Sequence, residues 1–319
     1  MPAARSARSE RFFTPRGNDL HPLRVDRPVR PLALLLLVAC GRSESASAPV
    51  APPASASAVR EPVPTSPLLP CPTGLGSLGL GLGVERWPIA ATPAAGGPPC
   101  VDVIRADASR FALRVLSAAD EAGARSATGW RDAFHLAAVT NAGMFHASGK
   151  PVGMIVTEGT VRSADNTKMS GYLAWDPVSA NDPPVQLAGR DCPGFDLAAL
   201  RARYHSIVQS YRLLGCAGEA LPWKDPKQYS AAAIGLDRAG RIVFLHARAA
   251  VTMAELSSAL AGHDLVGALF LEGGPEASLV ARGPEGELAR VGSYETNFVE
   301  NDSNQTFWNL PNVIALLPR

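Results

Sequence analysis

From Val101 to the C-terminus the chain is a succession of short apolar segments separated by turn signals, and this spacing limits it to a fold built chiefly of strands. Residues 101–104, 111–116, 152–157 and 160–162 read as strands, the last two meeting at Glu158-Gly159. Residues 172–175, 207–213, 232–237, 241–246, 268–271 and 313–317 continue the series. The two segments beside Arg238-Ala239-Gly240 are expected to pair as a hairpin, with Asp237 shaping the turn, because so short a connection joins only antiparallel neighbours. Helices are fewer. Residues 130–139 place Trp130, Ala133, Phe134 and Ala137 on one helical face. Thr252-Met253-Ala254-Glu255 is a capping box with Leu256 and Leu260 one turn apart behind it, and 195–204 is a third candidate. The expected fold is α+β, a mixed, largely antiparallel twisted sheet with a few packed helices in a single domain.

The N-terminal part has a different character. Arg27 and Arg30 precede the apolar run 32–39, the charged and hydrophobic regions of a secretory signal, and the run is too short to span a bilayer. Leu37-Val38-Ala39-Cys40 resembles the bacterial lipobox, in which cleavage before the cysteine leaves that cysteine to carry acyl chains. Residues 1–40 are therefore expected to be a signal segment, with Cys40 lipidated and the protein exported and anchored as a lipoprotein to the bacterial cell membrane or outer membrane. The polar lead 1–23 is long for such a signal, so Val25 is the expected initiator; mass spectrometry of the N-terminus decides, and an intact Met1 would exclude the lipoprotein. Residues 41–70, mostly Ala, Pro and Ser, cannot bury enough apolar surface to order themselves and read as a tether. Residues 71–319 are long enough for one large domain with its own core.

With Cys40 assigned to lipid, four of the five cysteines remain, an even number suited to an oxidising compartment. Sequence order favours Cys71 with Cys100 and Cys192 with Cys216 among three possible pairings, with free thiols the alternative. No spacing is C-x-x-C, which leaves no metal knuckle and no thioredoxin-like site, so no metal or cofactor is expected. A net charge of +1 and the lack of a basic stripe interleaved with aromatics argue against nucleic acid as a partner.

Gly74-x-Gly76-x-x-Gly79 matches a dinucleotide fingerprint only as a string, since no strand precedes it and no helix follows; it is expected to be a flexible lead-in. There is no H-E-x-x-H and no G-x-S-x-G, and the sequons at Asn301 and Asn304 are formal matches. Three segments carry polar or glycine residues where an apolar strand stops, the usual place for a site. They are Thr140-Asn141-Ala142-Gly143-Met144-Phe145, Gln209-Ser210-Tyr211-Arg212 and Leu269-Phe270-Leu271-Glu272-Gly273-Gly274-Pro275. The last is the sharpest, because a carboxylate followed by two glycines puts a charge beside backbone amides that a ligand can approach closely; a plain turn is the alternative.

In this order the segments resemble the phosphodiester glycosidase family, of the N-acetylglucosamine-1-phosphodiester alpha-N-acetylglucosaminidase type, from about Val101 onward. The resemblance rests on Asn141-Ala142-Gly143-Met144-Phe145, Pro151-Val152-Gly153, Ala233-Ile234-Gly235-Leu236-Asp237 with Gly240-Arg241-Ile242, and Leu269-Phe270-Leu271-Glu272-Gly273-Gly274. Three departures accompany it. The family's Asp-Gly-Gly, small residue and Ser is here Glu272-Gly273-Gly274-Pro275-Glu276; an Arg usual before the Ala-Ile-Gly strand is replaced by Ala231 after Ser230; and the Ser-Gly-Pro element is here Ser210-Tyr211-Arg212.

Cleavage between an anomeric carbon and a phosphate needs a carboxylate that stabilises an oxocarbenium-like transition state and activates water or attacks, and Glu272 is the candidate. The phosphate leaves readily, so a cation that binds it matters more than a strong acid. Arg212 is the first choice and Arg248 the second, each with a surface salt bridge as its alternative role. Asn141 is expected to bind a sugar hydroxyl and the Gly273 and Gly274 amides the phosphate oxygens. Asn166, with Asp165, is expected to line the same cleft, and His246 is either a substrate contact or a packed strand-end histidine. The expected function is an exported hydrolase acting on a sugar phosphodiester or related envelope glycan, so that its partners are a carbohydrate or sugar-phosphate substrate and, through the lipid anchor, a membrane. The alternative is a catalytically altered lipoprotein that binds a glycan or an envelope protein.

Overall fold

Side-chain alternation decides the layering. Along Asn312–Pro318, Ile314 and Leu316 enter one core while Val313, Ala315 and Leu317 enter another. Along Ile242–Thr252, Ile242 and Phe244 face one way and Val243, Leu245 and Ala247 the other. Strands buried on both faces need apolar residues at successive positions, which is why these segments read as nearly unbroken apolar runs.

The computed structural model describes Cys71 and residues 76–319. Residues 1–40 with Cys40, read as a signal segment, and 41–70, read as a tether, lie outside the described residues. In chain order the strands are β1 (Gly76–Gly79), β2 (Leu82–Pro88), β3 (Cys100–Ala106), β4 (Phe111–Ser117), β5 (Ala138–Asn141), β6 (Ile155–Thr157), β7 (Thr160–Ser163) and β8 (Gly171–Pro177). They continue as β9 (Val185–Gly189), β10 (Tyr204–Arg212), β11 (Gln228–Asp237), β12 (Ile242–Thr252), β13 (Leu265–Gly273), β14 (Ser278–Gly283), β15 (Gly286–Val291) and β16 (Asn312–Pro318). The helices are α1 (Ala127–Phe134), α2 (Leu197–Arg203) and α3 (Met253–Ala261).

Eleven strands form one sheet in the order β1-β2-β3-β12-β11-β13-β10-β6-β7, with β8 paired to β10 and β9 to β8; the other five form a second sheet, β15-β14-β5-β16-β4. All of these pairings are antiparallel. The largest core lies between the sheets, where Ile104, Ile234, Phe244 and Leu269 of the first meet Phe111, Leu279, Ile314 and Leu316 of the second. Met253, Leu256 and Leu260 of α3 cover the outer face of the large sheet. Ala127 and Trp130 of α1 cover that of the small one, and Leu200 of α2 closes a lesser cluster with Tyr172 and Ile207. The described residues all lie within one compact unit.

The α+β expectation therefore holds, with the strands divided between two sheets. The capping box forms, Thr252 Oγ1 accepting from the Glu255 amide at 3.2 Å and Glu255 Oε2 from the Thr252 amide at 2.8 Å. The β11–β12 hairpin also forms, and Asp237 Oδ1 accepts from the Ala239 and Arg241 amides to shape its turn. Cys71 pairs with Cys100 and Cys192 with Cys216, bonds that belong to an oxidising, extracytoplasmic compartment. Two readings need correction. The helix expected over 130–139 starts earlier and stops at Phe134, because Ser126 caps it through the Gly129 amide and His135 turns left-handed at φ 54°; Ala138 and Val139 then pair with β14 and β16. The glycine-rich lead-in is a hairpin: β1 turns into β2 at Leu80 and Gly81, both at positive φ.

Candidate functional site

A polar row crosses the inner face of the large sheet near one end. Glu272 on β13 pairs with Ala232 on β11, Ala232 with His246 on β12, His246 with Asp102 on β3, and Asp102 with Arg86 on β2. Neighbours in register share a face, so this row replaces the apolar residues that occupy the same face further along these strands. A bulge aims Glu272: Phe270 pairs with Ala233 and Glu272 with Ala232, leaving Leu271 as the extra residue.

Beyond Glu272 the chain makes a single 3-10 turn, Gly274–Glu276. Gly274 has φ +67°, and a Cβ there would lie 2.7 Å from Glu295 Oε2 and 3.5 Å from Glu276 Oε2. Glycine is required twice over, by the backbone angle and by two carboxylates converging on the same bare Cα. Asn141, at the end of β5, fixes this turn from the opposite sheet: its Nδ2 donates to the Glu276 carbonyl at 3.0 Å and its Oδ1 accepts from the Ser278 amide at 2.9 Å. Both ends of the buried Asn141 amide are thus taken by main chain, and the residue positions the turn.

Glu295 arrives from far along the chain. Its segment pairs with the start of β11 where β13 has ended, through the Tyr229–Glu295 bridge and the bonds from the Ser230 amide to the Tyr294 carbonyl and from the Thr296 amide to the Gln228 carbonyl. Glu272 titrates well above the usual carboxylate range, at about 8, first because it is buried and then because Glu276 and Glu295 lie close; one bond from the Gly273 amide, at 3.1 Å, opposes this. Glu276 is raised by burial and by Glu295. Glu295 is raised by burial and Asp225, while Lys227 pulls it down. Three carboxyl groups share one corner, and at neutral pH the Glu272 carboxyl keeps its proton. Among the described residues none of the three makes an ion pair, and no group of His, Cys, Asp and Glu is arranged to hold a metal ion.

The structure thus brings together Asn141, Glu272, Gly273 and Gly274, and places the other expected site residues in contacts of their own. Arg212 lines a separate cavity of about 240 Å³ beside the Cys192–Cys216 disulfide, where it donates to Asp191 Oδ1 at 2.5 Å and to the two sulfurs at 3.1 and 3.4 Å. Arg248 is a clamp for the loop that carries Glu295: it donates to the carbonyls of Val291 and Asn304 and to Asp302 Oδ1, at 2.8, 2.9 and 2.6 Å. Asn166 donates to the Val152 carbonyl, and its own amide is held by Gln209 Oε1, so it braces a loop. His246 is fully buried against the Ala277 carbonyl at 3.2 Å, and burial lowers it to about 4, which makes it a neutral packed histidine of the polar row. Glu295 and Lys227 were not legible in the sequence. Both sit in irregular segments, and only the long-range pairing of those segments carries them to Glu272.

The phosphodiester glycosidase family matches residues 134–317, more than half of the chain. No curated protein matches it by sequence. Among solved structures, it is similar to the catalytic domain of zebrafish N-acetylglucosamine-1-phosphodiester alpha-N-acetylglucosaminidase, auto-inhibited by pro-peptide, with a TM-score of 0.55 and 13% identity over 79% of this chain and 89% of that one. It is also similar to a hypothetical protein from Synechocystis, with a TM-score of 0.54 and 14% identity over 78% of this chain and 64% of that one. At these identities the two structures share its fold.

Proposed function

Because the chain belongs to the phosphodiester glycosidase family, we propose that it hydrolyses the bond between the anomeric carbon of a sugar and the phosphate of a phosphodiester, with Glu272 at the centre of the reaction. The observation that carries this reading is the convergence of Glu272, Glu276 and Glu295 on the Gly273-Gly274 turn, with Glu272 raised to about 8. A protonated Glu272 faces an anionic phosphate without repulsion and donates a hydrogen bond to it. As the bond from C1 to the bridging oxygen breaks, that oxygen takes the Glu272 proton. Water attacks C1, and its proton passes to Glu295, whose charge Lys227 favours. The products are a free sugar and a phosphate monoester.

Hydrolysis of an N-acetylglucosamine-1-phosphodiester in oxygen-18 water tests this directly: the label is expected in the sugar, and label in the phosphate would mean that a different bond is cut. Glu272→Gln is expected to lower sugar release by about a thousandfold, and full activity in that variant removes Glu272 from the mechanism. A glycan-binding protein without turnover is the second reading. It is favoured by Ala231, which is buried against Gly273 and offers no cation where many family members carry Arg. In either case the domain 71–319 works outside the cytoplasm on a tether, held to a membrane by acyl chains on Cys40. Metabolic labelling with a clickable fatty acid, lost in Cys40→Ser, tests the anchor.

A further inference from the structure

Beside the three carboxylates lies a group of side chains that the proposed chemistry does not use. Phe270, two residues before Glu272, is the centre of an aromatic cluster. The Trp223 and Tyr229 rings each lie 6.5 Å from it, and Tyr211 stands edge-on to Trp223 at 5.8 Å. Phe270 is buried, but Tyr211, Trp223 and Tyr229 are each only half-buried. Rings of this size dominate the burial energy of a core, so three that stop halfway at one patch leave apolar, quadrupolar faces turned to solvent.

The patch is continuous with the catalytic turn. The Tyr229 ring lies 3.2 Å from where a Cβ on Gly273 would stand, so the bare glycine lets the turn rest closely against it. Tyr229 also bridges to Glu295 through the backbone, and its hydroxyl donates to Asp225 at 2.6 Å, which fixes the ring. Tyr211 is held by backbone pairing to Phe270 itself. The rings thus lie on the outer face of the large sheet, opposite the Glu272 side chain, and reach the site at the end of the sheet, where Tyr229 bridges to Glu295 and its ring approaches Gly273.

We propose that Tyr211, Trp223 and Tyr229 form the platform on which a pyranose ring of the substrate stacks at the end of the large sheet, with its anomeric carbon turned round that end toward Glu295 and the Gly273-Gly274 turn. This rests on the glycosidase reading and adds where the sugar lies. A pyranose with mostly equatorial hydroxyls has an apolar face of C–H groups, and polarised C–H bonds are attracted to the negative face of an aromatic ring. Its hydroxyls point outward from the same ring, toward Asp225 and Glu295. An apolar wall with a few convergent polar groups is the usual make-up of a small-ligand site.

The test uses the intact protein, Trp223→Ala, Trp223→Phe and Tyr211→Ala. Calorimetry measures the binding of glucose, N-acetylglucosamine, mannose and galactose, and kinetics on an N-acetylglucosamine-1-phosphodiester supply kcat and KM. Trp223→Ala is expected to weaken sugar binding and raise KM by about tenfold, with a smaller effect on kcat, whereas Trp223→Phe keeps most of the affinity. If Trp223→Ala does not melt cooperatively, Trp223→Phe and Tyr211→Ala carry the comparison. Sugar binding that depends on Trp223 without turnover of any phosphodiester upholds the platform and sinks the glycosidase reading. Turnover with an unchanged KM in both Trp223→Ala and Tyr211→Ala does the reverse. Wild-type protein that binds none of these sugars overturns the platform as well.

Discussion

The two ends of the large sheet each gather three carboxylates, and they are set in opposite surroundings. At the hairpin end Glu85, Asp237 and Asp264 share Arg105, at 2.5, 2.6 and 2.7 Å, and Arg241 adds a second guanidinium to Asp237 at 2.7 Å. Trp87 lies under Arg105 and stacks on His263. Burial would raise Asp237, yet its bonds to Arg241 and Arg105 outweigh this and hold it below the usual carboxylate range. At the other end Glu272, Glu276 and Glu295 are half-buried together without a guanidinium, and all three are raised. A buried carboxylate whose charge is answered is costly to uncouple from its partner, whereas one left unanswered keeps a proton near neutral pH, the property that acid catalysis needs.

The comparison is broken most severely from its stable end. Arg105→Ala leaves the fully buried Asp237 short of its main cross-sheet partner and is expected to cost about 3–5 kcal/mol, a fall of roughly 10 °C in Tm, with activity lost only through unfolding. A Tm unchanged within error would show that the hairpin-end cluster does not hold the sheet. At the reactive end Gly274→Ala forces a Cβ into a left-handed position and against the Glu295 carboxylate. It is expected to lower sugar release by about tenfold or more while costing only about 1 kcal/mol of stability. Normal turnover in a folded variant would take Glu295 out of the site.

The comparison is sharpened last by a pH signature. Between the ordinary value of 4.5 and about 8, the folded protein keeps the Glu272 proton that the unfolded chain releases. Stability therefore falls as pH rises through that window, and the loss is complete above it. Glu272→Gln removes the penalty, so its Tm should match wild type near pH 4 and exceed it at pH 9, the gap opening as pH rises through the window. Parallel Tm curves for the two proteins from pH 4 to 9 would place the Glu272 carboxyl in water.

The sequence by itself determined the strand-rich α+β class, the β11–β12 hairpin turned by Asp237, the capping box of α3 and the position of Glu272 at the end of an apolar strand. Each is written in adjacent residues or in a short period, which is how local backbone geometry is encoded. The division of the strands into two sheets could not be read there, because strands buried on both faces present the same apolar run whichever sheet they join. Nor could the partners of the charged residues. The sequence leaves Arg212 and Arg248 open between binding phosphate and a salt bridge, and the fold gives each an aspartate, Asp191 and Asp302. Glu295 and Tyr229 are 66 residues apart in the chain and neighbours at the site. The acidity of Glu272 is the clearest case: it depends on what is buried with it and on which charges come near, and both are set only when distant segments close over the turn.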